Sequence, residues 1–201
     1  MKISQKIFWL FIAVISLYYL YRGVTFRFFT DGNLNQKAFW YILHLFTAIF
    51  PLVLGPFQFI PTIRKKYPAF HKRIGKIYLV GSLLGSLSAL YLGMTIDLEG
   101  SILSITLLAI TWLFMVVAAW ITARRKNFKS HRLFAIRTYV LALVFIFLRL
   151  LGDLPQEKLF FYIKSPEIRD ATLEWASWII PLLILELMIT WLPQIRNRTL
   201  F

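Results

Sequence analysis

The chain has 201 residues, of which 59% are hydrophobic, 17% aromatic and only 16% charged, against about 25% charged in an ordinary soluble domain; a water-soluble fold has no way to hide that much apolar surface. The net charge of +14 raises nucleic acid as a partner, but the basic residues gather beside apolar runs instead of forming a patch of their own, which points to a bilayer and away from nucleic acid. Cysteine is absent, which excludes disulfides, thiolate metal sites, iron–sulfur clusters and cysteine nucleophiles and leaves three histidines as soft-metal or heme ligands.

A hydrocarbon core about 30 Å thick needs about 20 apolar helical residues. Six stretches meet that requirement, at about 7–23, 38–60, 75–96, 101–123, 134–152 and 174–193, which predicts an all-α bundle of six transmembrane helices. The first, IFWLFIAVISLYYLY after Lys2 and Lys6, resembles a signal sequence, but no small-residue cleavage site follows it, so it is read as a retained helix. The chain then divides into a first helix and external loop (1–37), a five-helix membrane core (38–194) and a short tail (195–201).

Charge sets the orientation. The N-terminus, the segments around Arg64–Lys76 and Arg124–Arg137, and the tail hold sixteen of the 23 Lys/Arg and no acid. Asp31, Asp97, Glu99, Asp153, Glu157, Glu167, Asp170 and Glu174 all fall in the alternate loops or at their edges. The positive-inside rule therefore places both termini and both basic loops in the cytoplasm of a multi-pass cell-membrane protein, with anionic lipids as natural neighbours.

Those two basic loops are twins. RKKYPAFHKRIGKIY (64–78) and RRKNFKSHRLFAIRTY (124–139) align so that Arg64, Lys65, Lys66, His71, Lys72 and Gly75 fall opposite Arg124, Arg125, Lys126, His131, Arg132 and Ala135, which suggests a repeat of helical hairpins. On the other side, residues 97–100 form a tight turn that makes the third and fourth spans antiparallel neighbours. The longer connection from Leu154 to Glu174 contains an LFFYI run (159–163) suited to a short interfacial helix.

Small and polar residues mark helix contacts in lipid. Gly81, Gly85, Ala89 and Gly93 recur every fourth residue of the third span, giving a smooth face. In the second span His44, Ala48, Pro51, Gly55 and Gln58 share one helical face, with His44 and Gln58 about 21 Å apart by helix rise. Glu186 is the acid placed well inside a predicted span; it must be neutral or paired, and Arg73, Arg137, His71 and His131 are the cations at its depth.

The runs HLFTAIFPLVLGPFQF, FHKRIGKIYL, SHRLFAIRTYVLALVFIFLRLL and WASWIIPLLILEL together resemble a family of predicted bacterial membrane proteins called domain of unknown function 2306, over about residues 38–190. By matching position the resemblance implies His44, Gln58, His71, Arg73, Gly75, Tyr78, His131, Arg132, Arg137, Arg149 and Glu186 as the family's residues. Its pattern is departed from in two places: Leu133 and Phe134 stand where Trp-Met is usual, and Pro181 where Asn is usual. The resemblance implies an architecture and no activity.

Several roles follow for these residues. His71 and His131, at similar depth, have the chemistry to be axial ligands of heme b; the plainer role is to cap helices at the interface and contact lipid phosphate. Arg73, Arg137, Glu186, Gln58 and the two histidines make a binding site for an anionic or quinone-like head group, or a proton relay, unless Glu186 and Arg137 form a purely structural ion pair. His44 reads as a hydrogen-bonded interior histidine, and Arg149 as the structural partner of Asp97 or Asp153. No nucleophile with a base, phosphate loop or closed metal site is present in the pattern. The expected function is thus non-hydrolytic binding of a redox cofactor (heme b or quinone) or a small hydrophobic or anionic ligand near the cytoplasmic face; the alternatives are a small-molecule transporter and a structural or assembly factor without a ligand. The topology has a direct test: an alkaline phosphatase fused after Lys126 is inactive and one fused after Asp153 active, whereas activity at Lys126 would invert the orientation.

Overall fold

The computed structural model describes residues 11–12, 14–22, 25, 37–95 and 99–196. Among these there is no strand, and five helices are long and apolar enough to cross a membrane: Ala38–Phe59, Pro68–Met94, Gly100–Arg124, Phe128–Gly152 and Pro166–Ile195. They correspond to the second through sixth expected spans. The first expected span, 7–23, lies partly outside the described residues; its described parts, 11–12 and 14–22, are helical. The chain forms two compact units, Met1–Leu92 and Gly93–Phe201.

In the first unit, α1 (Ala38–Phe59) is followed by the short α2 (Pro61–Lys66) and the long α3 (Pro68–Met94). Pro61 and Pro68 both sit where a helix begins, the one place where a missing N–H is harmless. The expected basic loop is accordingly almost all helix. Arg64, Lys65 and Lys66 end α2, and His71, Lys72, Arg73 and Lys76 lie in the first turns of α3, with Tyr67 as the joint between them. The predicted start at residue 75 was late because hydropathy registers where a helix becomes apolar, not where its backbone bonds begin.

Pro51, inside α1, cannot donate to the carbonyl of Thr47 one turn earlier. That carbonyl faces α3 at Gly81, where an added Cβ would lie 3.0 Å from Thr47 O and 2.7 Å from Phe50 Cβ. The freed carbonyl and the missing side chain together let two backbones meet closely, and this explains the glycine face read from the sequence. Further along the same contact Trp40 stacks on Tyr91, centroids 4.2 Å apart.

In the second unit, α4 (Glu99–Arg124) and α5 (Phe128–Ala142) form an antiparallel hairpin that is the most extensive helix contact here. Its turn is short because both helix ends are closed by backbone geometry. Lys126 adopts a left-handed φ of 57°, Asn127 N–H reaches Thr122 O at 3.0 Å and Lys126 N–H reaches Ala123 O at 3.1 Å, a Schellman closure. Asn127 Oδ1 then accepts from Ser130 N–H at 3.1 Å and opens α5. The second basic loop is thus reduced to residues 125–127.

A tightened turn at Leu143, whose N–H bonds Val140 O at 3.2 Å as well as Tyr139 O at 3.0 Å, joins α5 to α6 (Val144–Gly152) within one span. In the following connection the short helix falls at α7 (Gln156–Leu159), one turn before the expected place, and residues 160–162 form turns. Helix α8 (Pro166–Glu186) packs against α4, α5 and α6. It continues through a π-helical segment, Leu187–Trp191, into α9 (Leu192–Ile195). Leu192 N–H bonds Leu187 O, and Pro193, which has no N–H for Ile189 O, follows directly; a widened turn is the ordinary response to such a proline.

Gly81→Ala forces Phe50 and the Thr47 carbonyl away and is expected to lower stability by about 1–3 kcal/mol. Gly152→Ala, where an added Cβ meets nothing within 4 Å, serves as the neutral comparison in a thermal melt of the detergent-purified protein.

Candidate functional site

The strongest polar contact in the second unit joins α5 to α8. Arg137 Nε donates to Glu186 Oε1, Nη2 donates to Oε2 at 2.7 Å and to Thr190 Oγ1 at 3.1 Å, and Thr190 Oγ1 donates to Oε2 at 2.8 Å. The fork of the guanidinium matches the carboxylate edge to edge. Side-chain exposure is 12% for Arg137 and 21% for Glu186, so the pair is largely removed from solvent. Phe134 lies under the guanidinium with its centroid 5.8 Å from Cζ, within reach of a cation–π contact. Of the cations proposed for Glu186, Arg137 is the one that pairs with it; Arg73 is exposed on α3.

Thr190 was not anticipated. It stands four residues after Glu186, hence on the same face, and that spacing was the available signal. The π segment beginning at Leu187 was invisible to periodicity, because only Pro193 hints at it.

Two of the three histidines, His44 and His131, follow a common design. His131, in the first turns of α5, places Nδ1 2.8 Å from the carbonyl of Ala119 on α4, which also accepts from Thr122 Oγ1 at 3.1 Å. In the first unit, His44 of α1 places Nδ1 3.0 Å from Gly85 O on α3, which also accepts from Ser88 Oγ at 3.0 Å. A carbonyl can only accept, so in each ring Nδ1 carries the hydrogen, and a neutral ring keeps its lone pair on Nε2. His44 behaves as the interior hydrogen-bonded histidine expected from the sequence. Ser88 Oγ lies 3.4 Å from its Nδ1, and Ser82, Ser86 and Ser88 of α3 are all fully buried, a feature that the glycine pattern had overshadowed.

His71 and Gln58 belong to the first unit, and His131, Arg137 and Glu186 to the second. His71 is half-buried on α3, one turn before Gly75 and on the same face. Gly75 makes room for Gln58: an added Cβ there would lie 3.0 Å from Gln58 Oε1. Gln58 Nε2 is sealed from solvent with no acceptor in reach among the described residues. Arg149 lies over Phe145, 5.4 Å from its centroid; of its two expected partners, Asp97 lies outside the described residues and Asp153 follows directly on the end of α6. Among the described residues no three His, Asp or Glu side chains gather as a metal site.

The ion pair makes a quantitative prediction. Removing one partner strands a charge in a low-dielectric contact, so Glu186→Gln or Arg137→Met is expected to cost about 3–5 kcal/mol. The double variant should recover most of that loss, and a double-mutant cycle on thermal unfolding measures the coupling.

Comparison with known proteins finds one match. No curated protein and no solved structure matches the chain. The family described as predicted membrane protein (DUF2306) matches residues 41–189, a span that takes in α1 to α8 and includes His44, Gln58, His71, Arg73, His131, Arg137, Arg149 and Glu186. The chain therefore belongs to the DUF2306 family of predicted membrane proteins.

Proposed function

We propose that the protein is an integral membrane protein that binds a redox cofactor, heme b or a quinol, through His131. The observation that carries this reading is the bond from Nδ1 of His131 to the Ala119 carbonyl at 2.8 Å. A backbone partner on one nitrogen orients the ring and raises the basicity of the other, the usual setting of a histidine that ligates a metal. The same lone pair accepts a hydrogen bond from a quinol hydroxyl. It does not suit an anion, because a neutral imidazole with Nδ1–H committed has no donor left on Nε2; this narrows the ligand classes expected from the sequence.

On this reading six helices span the cell membrane with both termini in the cytoplasm, and the two histidine-bearing hairpins, around His71 and His131, are repeats. The exposure of the basic residues Arg124, Arg125, Lys126 and Lys129 supports a position for His131 at the cytoplasmic boundary, next to anionic lipid. The Arg137–Glu186 pair then holds the bundle on which His131 is mounted and takes no part in proton transfer, because Thr190 and the guanidinium already occupy both carboxylate oxygens.

The closed ion pair also favours a second reading, a structural or assembly factor with no ligand. An absorption spectrum separates the two. Protein purified after growth with added heme is expected to show a Soret band that shifts on reduction, or failing that to quench its fluorescence on titration with a short-chain quinol. His131→Ala should lose either response while melting as wild type does within about 2 kcal/mol. Absence of both responses in the folded wild type would leave the structural reading in place.

A further inference from the structure

Helix α8 carries a second carboxyl whose surroundings are the reverse of those of Glu186. Glu174 lies twelve residues before Glu186, about 18 Å away along the helix axis, and inside the same candidate span, Pro166–Ile195. The sequence alone had assigned it to the edge of the external loop. The hydroxyl of Ser101, on α4 and 5% exposed, is its hydrogen-bonding neighbour. Oε2 is shut off from solvent with no hydrogen-bond donor among the described residues.

The other hydroxyls nearby are engaged. Ser177 Oγ donates to the backbone carbonyl of Glu174 at 2.7 Å, and Ser104 accepts from Trp178 Nε1 at 3.2 Å; both serines are 1% exposed. Among the described residues, the charged group bearing on Glu174 is Asp170, one turn earlier on α8 and of like sign. Arg169, the nearest cation in sequence, faces Glu157 at 3.9 Å. Where α4 and α8 meet, Ala171 Cβ comes within 3.6 Å of the position a Cβ on Gly100 would take, so the two helices lie within van der Waals reach there.

Two carboxyls on one helix thus have opposite settlements: Glu186 is neutralised by a bidentate guanidinium, while half-buried Glu174 has beside it a hydroxyl and a like charge and, among the described residues, no cation. An ionised carboxylate in a span without a counter-ion is expensive, and the remaining way to neutralise it is a proton. We propose that Glu174 and Ser101 form a proton-binding site in the α4–α8 contact, with the proton held on the orphaned carboxyl oxygen. Such a site is a station for proton uptake or release within the bilayer, and it stands independently of any ligand at His131.

The test uses the wild-type full chain in detergent. Dicyclohexylcarbodiimide, an apolar reagent, takes the proton of a neutral carboxyl on its nitrogen while the carboxyl oxygen adds to its central carbon. Ionised carboxylates are spared, and acyl migration leaves a stable adduct of the whole reagent. Peptide mass spectrometry is expected to find Glu174 labelled at neutral pH, the label lost in alkaline buffer, and Glu186 unlabelled throughout as the internal comparison. In infrared spectra, a carboxylic C=O stretch present in the wild type should vanish in Glu174→Gln. No label together with no such stretch, equal labelling of Glu174 and Glu186, or protection by sodium ions at constant pH would each overturn the assignment, the last by giving the site to a metal cation.

Discussion

An ionised side chain inside a bilayer has to be neutralised by something fixed, and in this protein the Arg137–Glu186–Thr190 cluster meets that demand on a pair of helices. Because the guanidinium meets the carboxylate along two parallel bonds, rotation of α8 about its own axis by even one residue position would break both. The register of α8 against α5 is thereby set, and with it the packing of α8 on α4 and α6. The π segment follows directly after Glu186, and Thr190, four residues on, donates to Oε2 from the same face.

The histidines illustrate a second economy. Both His44 and His131 donate to a helical carbonyl that already accepts from a Ser or Thr hydroxyl three residues later in the same helix. In hydrocarbon a helix-to-helix hydrogen bond of this kind replaces the hydrophobic drive that lipid removes. It also fixes a tautomer, and fixing a tautomer decides chemistry. A ring with Nδ1–H committed offers a lone pair at Nε2, suited to an iron atom or a hydroxyl donor and unsuited to a bare carbonyl or an anion. His131 has that preparation in the first turns of α5, beside the exposed basic turn 124–129, whereas His44 has it inside α1.

Much of this was legible from composition and spacing. Apolar length revealed five described spans, every fourth small residue revealed the α1–α3 contact at Gly81, and the cost of a buried acid pointed to a counter-ion for Glu186, with Arg137 among the candidates. What escaped has a common cause: the sequence displays side chains and conceals backbone groups. The Thr47 carbonyl freed by Pro51, the Ala119 and Gly85 carbonyls that orient histidines, and the Schellman closure at Lys126 are all backbone events. The basic stretches read as loops because charge was taken for irregularity, although Pro68 and Asn127 were ordinary helix-start signals. Glu174 was misplaced for a related reason, since α8 begins at Pro166, well before its sequence turns apolar.

The central claim is chemical and local: His131 is held so that its free nitrogen bears a lone pair. Nitrogen-15 NMR of the ring in the detergent-solubilised protein measures this directly. The account predicts a protonated Nδ1 and an unprotonated, pyridine-like Nε2 for the neutral ring, with the Nε2 resonance shifting on addition of heme or quinol and Nδ1 staying in place. A neutral ring with its hydrogen on Nε2, or an Nε2 resonance indifferent to both ligands, would contradict it.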